Sequence, residues 1–201
     1  MKSTEGNRAY SFMAASFPRW EEFLLHKDRL SAVLVPLFKK GKDVQVLFLE
    51  RPLFLKDHGG EMCFPGGERE VNDRGPLETA LRETEEEIGL SPQFVQPVCI
   101  MSPQHTVKSG FTIYPVAGVI RGRSPKCDLR FSPGEVADFA LWSLDSIPDN
   151  SQTYRVLHDN GKIFETPQYT LPDGRIIWGA TAFILRRFIY FIRKGDMYSC
   201  L

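Results

Sequence analysis

Apolar residues recur in two rhythms along this 201-residue chain. Ser31-Ala-Val-Leu-Val-Pro-Leu-Phe38 and Val44-Gln-Val-Leu-Phe-Leu49 are short runs of strand length. Lys39-Lys-Gly-Lys-Asp43 lies between them and Gly41 turns the chain, so the two runs predict an antiparallel hairpin. Residues 53–67 are rich in glycine and carry Pro65, which predicts a loop with a short strand near 62–64. Further strands are expected over 94–102, 111–120 and 136–142. Helical spacing appears over 20–30, over 179–194 and most clearly after Pro76. There Leu77, Ala80, Leu81, Thr84 and Ile88 define an apolar face. Proline is tolerated at a first helical position and Gly89 is a good C-terminal stop, so this helix should run from Pro76 to Gly89. Strands arriving in hairpins with a helix inserted between them predict an α/β fold, a mixed sheet with helices on both faces.

Composition narrows the function classes. The length suits one domain with a sizeable core, and no composition shift marks a second. We expect residues 1–28 to form an extension packing on a domain of residues 29–201. Twenty-five basic residues balance 25 acidic ones, so no global field favours a nucleic-acid backbone or an anionic membrane. An anionic ligand would have to be held by local Arg, Lys or metal. Cys63, Cys99, Cys127 and Cys200 form no C-x-x-C pair, which argues against a zinc knuckle or a redox dithiol. The first 30 residues hold no continuous apolar run that would read as a signal peptide or a membrane span. Reduced thiols in a cytoplasmic protein are the expectation.

The chemistry concentrates in Arg82-Glu-Thr-Glu-Glu-Glu-Ile-Gly-Leu90 and in Phe64-Pro-Gly-Gly67 just upstream. At about 100° per residue, Glu83, Glu86 and Glu87 project from one side of the helix. Like charges at that spacing cost an isolated helix roughly a few tenths of a kcal/mol per pair. A divalent cation removes the conflict, and hard oxygen ligands suit Mg²⁺ or Mn²⁺. The acidic direction borders the apolar face rather than opposing it, which distinguishes it from an ordinary solvated stripe. The glycines upstream let the backbone approach a metal or phosphate closely.

At these residues the sequence resembles the Nudix family, whose box ends in Arg-Glu, an apolar residue, any residue, Glu-Glu, any residue, glycine and an apolar residue. Residues 82–90 match that half, with Thr84 in the apolar slot. Gly67 precedes Arg82 by 15 positions, one more than in the standard box, and Asp73 stands nearest to the usual glutamate. The resemblance implies an α/β/α sandwich with a mixed central sheet and a Mg²⁺- or Mn²⁺-dependent hydrolase. It implies Glu83, Glu86 and Glu87 as metal ligands, with the Gly66 carbonyl as a further one. Gly67, Asp73, Arg82 and Gly89 would be structural, Arg82 holding the loop through Asp73. A further carboxylate, base or ligand, is expected from a distant loop; Glu135 in Ser132-Pro-Gly-Glu-Val136 is the candidate, with Asp138 in reserve.

The segment from Leu47 to Gly67 also resembles a second signature, that of the coenzyme A diphosphatase branch, at Arg51, Gly60 and Phe64-Pro-Gly-Gly67. Pro52-Leu53 and Lys56 depart from its usual residues. The likeness continues in Ser109-Gly-Phe-Thr-Ile-Tyr-Pro-Val116 and Ile177-Trp-Gly-Ala-Thr-Ala182. It implies cleavage of coenzyme A or its derivatives to 3′,5′-ADP and 4′-phosphopantetheine. The extra phosphate of such a substrate needs positive charge away from the metals, for which Arg51, Lys56 and Lys108 are available, with Arg51 expected on the 3′-phosphate. The expected partner is therefore a small nucleotide, with no nucleic acid or membrane, and room is left for a homodimer. The rival readings are hydrolysis of another nucleoside diphosphate derivative, such as ADP-ribose, or of a nucleoside triphosphate, and a binding module without catalysis. The intact set of three mutually repelling acids speaks against the last.

Overall fold

The computed structural model describes residues 19–22, 29–106, 109–151, 153–159 and 162–194. In chain order its strands are β1 (Arg29–Lys40), β2 (Asp43–Glu50), β3 (Met62–Cys63), β4 (Gly66–Glu68), β5 (Val95–Ile100), β6 (Gln104–His105), β7 (Phe111–Ile120), β8 (Asp138–Ser143), β9 (Thr153–Asp159), β10 (Lys162–Thr170) and β11 (Ile176–Ile177). The long helices are α1 (Pro76–Ile88) and α2 (Gly179–Lys194).

β1 organises the main sheet. It runs parallel to β7, from Arg29 opposite Phe111 to Phe38 opposite Ile120. Its other edge is shared: residues 31–33 pair antiparallel with β4, and residues 37–40 pair antiparallel with β2. The order β3-β2-β1-β7-β5 is extended by β8 on β2 and β6 on β7, while β9, β10 and β11 form a separate antiparallel sheet. The fold is thus mixed α/β, as the sequence predicts.

Period-two alternation explains why both faces are dry. Leu30, Ala32 and Leu34 of β1, Leu47 and Leu49 of β2, and Tyr114 and Val116 of β7 pack with Leu77, Ala80, Leu81 and Ile88 of α1. The alternate residues Val35 and Leu37, Val46 and Phe48, and Ala117 pack with Ala182, Leu185 and Phe188 of α2. The sheet therefore has a helix on each face. Among the described residues no helix is long and apolar enough to cross a membrane.

Several expectations are corrected. The helix expected over 20–30 is a 3-10 turn at Trp20–Glu22, and Arg29 and Leu30 already belong to β1; residues 23–28 lie outside the described set. Pairing with β7 from Arg29 onward overrides the weak helical spacing there. The strand expected from Val136 begins at Asp138, because the Val136 N–H donates to the Ser132 carbonyl in a turn. Gly66 and Gly67, expected in a loop, are strand residues of β4. β9 and β10 occupy a stretch for which periodicity assigned no element.

α1 matches its expected limits. Gly75 precedes Pro76 in an extended conformation, and Gly89 is left-handed at φ 66°, its N–H donating to the Glu85 carbonyl. Thr84 tolerates its buried slot because its hydroxyl donates to the Ala80 carbonyl at 2.6 Å.

Candidate active site

The acidic flank of α1 lies against β4, and two glycines make that approach possible. A methyl group on Gly67 would overlap the Glu83 carboxylate, and one on Gly66 would overlap the Ala32 carbonyl and the Val33 backbone of β1. Gly66 also sits at φ 149°, a conformation that a side chain disfavours. With no side chain between them, the Gly66 N–H donates to Glu87 Oε2 at 2.9 Å.

Glu87 is only 6% exposed. Burial drives its pKa up; the Gly66 hydrogen bond opposes this, the neighbouring Glu83 charge adds to it, and the result is pushed up to about 8. Glu83 is half-buried and is also raised, by burial first, against a hydrogen bond from Arg82 and with Glu86 and Glu135 adding repulsion. Glu86 is more open, its side chain 54% exposed, with Oε2 3.3 Å from Arg82 Nη1. Among the described residues the carboxylates are not gathered into a closed cage. Glu83 and Glu87 are close neighbours, and Glu86 is turned toward Arg82.

The residue pairing with Arg82 is Asp73. Arg82 donates through Nε to Asp73 Oδ1 at 3.2 Å and through Nη2 to Oδ2 at 3.0 Å, the two-point geometry suited to a guanidinium. Nη2 also donates to the Glu68 carbonyl at 3.0 Å, tying α1 to β4. The Glu70 N–H and the Thr79 hydroxyl donate to Asp73 Oδ2, each at 2.9 Å. Burial would push Asp73 up, but these bonds outweigh it and hold its carboxyl below the usual range. The single extra residue between Gly67 and Arg82 is thus accommodated by a turn that still delivers a carboxylate to the arginine.

Glu135 reaches the same region through the loop that follows the turn at Pro125–Asp128. The Arg130 N–H donates to the Ile88 carbonyl and the Ser132 N–H to the Glu87 carbonyl, so this loop is stitched to the end of α1. Gly89 packs against Arg130 at the same point. Val136 anchors the far end in the core, and Glu135 itself is exposed, its charge felt at both Glu83 and Glu87. Asp138 is engaged elsewhere, accepting from Arg175 Nη1 at 3.0 Å.

Arg51 closes the site on the β2 side. Its charge acts on Glu87 and Cys63, and its Nε is buried without a hydrogen-bond partner among the described residues. The Arg51 N–H donates to the Glu61 carbonyl and the Gly60 N–H to the Arg51 carbonyl, which pinches the base of the loop. Lys56 stands at the exposed tip of that loop, and Lys108 lies outside the described residues. Thr79 escaped the sequence reading as part of the site. The available signal was its position one turn before Arg82 on the same flank of α1.

The donor chemistry fits a hard divalent cation: carboxylate oxygens on one flank, one of them buried among like charges, with Glu86 the more open of the three. Comparison with known proteins identifies the family. The chain is 32% identical over 165 residues to the uncharacterized Nudix hydrolase NudL of Pectobacterium atrosepticum, covering 81% of this chain and 82% of that protein. A Nudix hydrolase from Nitrosomonas europaea shares the fold at a TM-score of 0.55 and 14% identity over 85% of this chain and 74% of its own. A MutT/nudix family protein from Enterococcus faecalis does so at 0.53 and 16% over 96% and 75%. A NUDIX domain model matches residues 28–160, the span that holds the glycine turn, the acidic helix and the Glu135 loop, and the chain accordingly belongs to the Nudix family.

Proposed function

We propose that this Nudix hydrolase cleaves the diphosphate of coenzyme A or its derivatives, releasing 3′,5′-ADP and 4′-phosphopantetheine. Family membership makes the chain a hydrolase of pyrophosphate bonds. The observation carrying the finer reading is that Arg51, from the second signature, sits within electrostatic reach of Glu87. The signature arginine and the acidic helix are therefore neighbours.

In this reading Glu83, Glu86 and Glu87, with the Gly66 carbonyl, hold Mg²⁺ or Mn²⁺. The bound metal supplies charge neutralisation at the phosphates and a lowered pKa for the attacking water. Water adds at phosphorus, its proton passes to the Glu135 carboxylate, and the bridging P–O bond breaks. Arg51, beside the acids, suits the diphosphate, whereas Lys56 at the loop tip suits a phosphate placed farther away. This differs from the first expectation, which put Arg51 on the outlying 3′-phosphate.

The test is a substrate panel with purified protein and Mg²⁺ or Mn²⁺. Coenzyme A should be hydrolysed in preference to ADP-ribose and nucleoside triphosphates. Arg51→Ala should lower kcat/KM on coenzyme A and dephospho-coenzyme A alike, by on the order of 10- to 100-fold. Lys56→Ala should cost a few-fold, roughly what an exposed cation contributes, on coenzyme A alone. Preference for ADP-ribose would sink the coenzyme A reading and leave the diphosphatase standing.

A further inference from the structure

We propose that Trp20 is a positioning residue for the carboxylates of α1, acting through a buried hydrogen-bond relay that runs Trp20, Thr79, Asp73, Arg82. The proposal rests on the reading of α1 as a divalent-metal site and adds to it a part of the chain far from the box.

The relay is continuous. Trp20 is 1% exposed, and its ring stands edge-on to Tyr114 with centroids 5.2 Å apart. Its Nε1–H donates to Thr79 Oγ1 at 3.1 Å, and the Thr79 hydroxyl, fully buried, donates to Asp73 Oδ2 at 2.9 Å. Asp73 in turn accepts from Arg82 through both oxygens. Arg82 Nη1 then lies 2.8 Å from Glu83 Oε1 and 3.3 Å from Glu86 Oε2. The Trp20 backbone N–H donates to the Arg74 carbonyl, so residue 20 is fixed at both its main chain and its ring.

Each link has a chemical reason. A buried indole N–H needs an acceptor, and packing alone would be served by a phenyl ring. Thr79 has one hydroxyl proton and two acceptors near it, Asp73 at 2.9 Å and the Gly75 carbonyl at 3.5 Å. The indole bond fixes the hydroxyl so that this proton goes to Asp73. Asp73 is one methylene shorter than the glutamate usual in the box, and the Thr79 and Glu70 donors hold it where Arg82 can reach it. Arg82 touches Glu83 and Glu86 through Nη1 alone while Asp73 holds Nε and Nη2; released from Asp73, the whole guanidinium could turn to these acids and compete there with a metal cation. The relay therefore sets how freely these acids meet a divalent ion.

The experiment is Mn²⁺ titration of the metal-stripped full chain, read calorimetrically and by the electron-spin signal of free Mn²⁺, with melting curves alongside. Trp20→Phe and Thr79→Val should each weaken Mn²⁺ binding by about 2- to 10-fold, the worth of one hydrogen bond. Thr79→Ser should restore it. The double variant should bind no more weakly than Thr79→Val alone, because both changes cut one relay. Lower melting temperatures with unchanged Mn²⁺ affinity, or losses that multiply in the double variant, would overturn the relay. Should Trp20→Phe fail to fold, the comparison of Thr79→Val with Thr79→Ser decides: equal affinities overturn it. A wild-type chain that binds no Mn²⁺ overturns the metal reading itself and the relay with it.

Discussion

The two faces of the central sheet make an instructive pair. Under α2, Leu185, Phe188 and Ile189 pack with Val35, Phe48 and Trp142, and no buried carboxylate is found there among the described residues. Under α1, an equally apolar layer carries Asp73 and Glu87 at 7% and 6% exposure, together with buried Thr79 and Thr84. Burying a charge without a partner is costly, and the two carboxylates meet that cost differently. Asp73 is satisfied by Arg82 and by two further local donors, the Glu70 N–H and the Thr79 hydroxyl, whereas Glu87 has one backbone donor and like-charged neighbours. Such local conflict marks the face on which we place the site, and its absence marks the face that supports it.

The comparison can be broken by mutation. On the supporting face, Leu185→Ala should cost about 2–5 kcal/mol of stability in chemical denaturation, while the folded fraction keeps its Mn²⁺ affinity. A loss of metal binding there would erase the distinction. On the working face, Glu87→Gln should lower turnover at saturating metal by at least about 100-fold, beyond what partners of metal ligands contribute, as should chelation. Its melting temperature should not fall, because a buried amide costs less than a buried carboxylate. Near-wild-type turnover would remove Glu87 from the ligand set.

A smaller effect separates the two acids within the working face. Asp73 is held below its unfolded value of about 3.9, so its contribution to stability is present above that pH. It is lost as pH falls through the lower folded-state value. Asp73→Asn should therefore be less stable than wild type by about 2 kcal/mol at pH 7. The gap should close on acidification below the ordinary carboxylate range, as the folded chain takes up the Asp73 proton. A constant gap across pH would mean that the carboxylate's charge is not what Arg82 holds.

Legibility from sequence divides along the same line. α1 could be read to the residue because Pro76, Gly89 and the apolar spacing act locally, and counting back from Arg82 found Asp73. The β9–β10 hairpin was missed although Asp159-Asn-Gly-Lys162 is a turn signal, since the flanking strands alternate weakly around Pro167. Arg51 was found as a residue, but its nearness to Glu87 depends on how β2 and α1 pack and could not be read from spacing. Trp20 read as part of a helix because its partners, Thr79 and Tyr114, are distant in sequence.

The parallel register of β1 on β7 governs when this site can exist at all. On their parallel edge Arg29 to Phe38 find their partners in residues 111–120, a long loop to close before that pairing yields any return, which makes such topologies slow to fold. The loop bearing Glu135 emerges from the ribosome later still. A chain under synthesis therefore carries its acidic helix for some time as an ordinary amphipathic segment, and the two halves of the site meet only in one late, cooperative step.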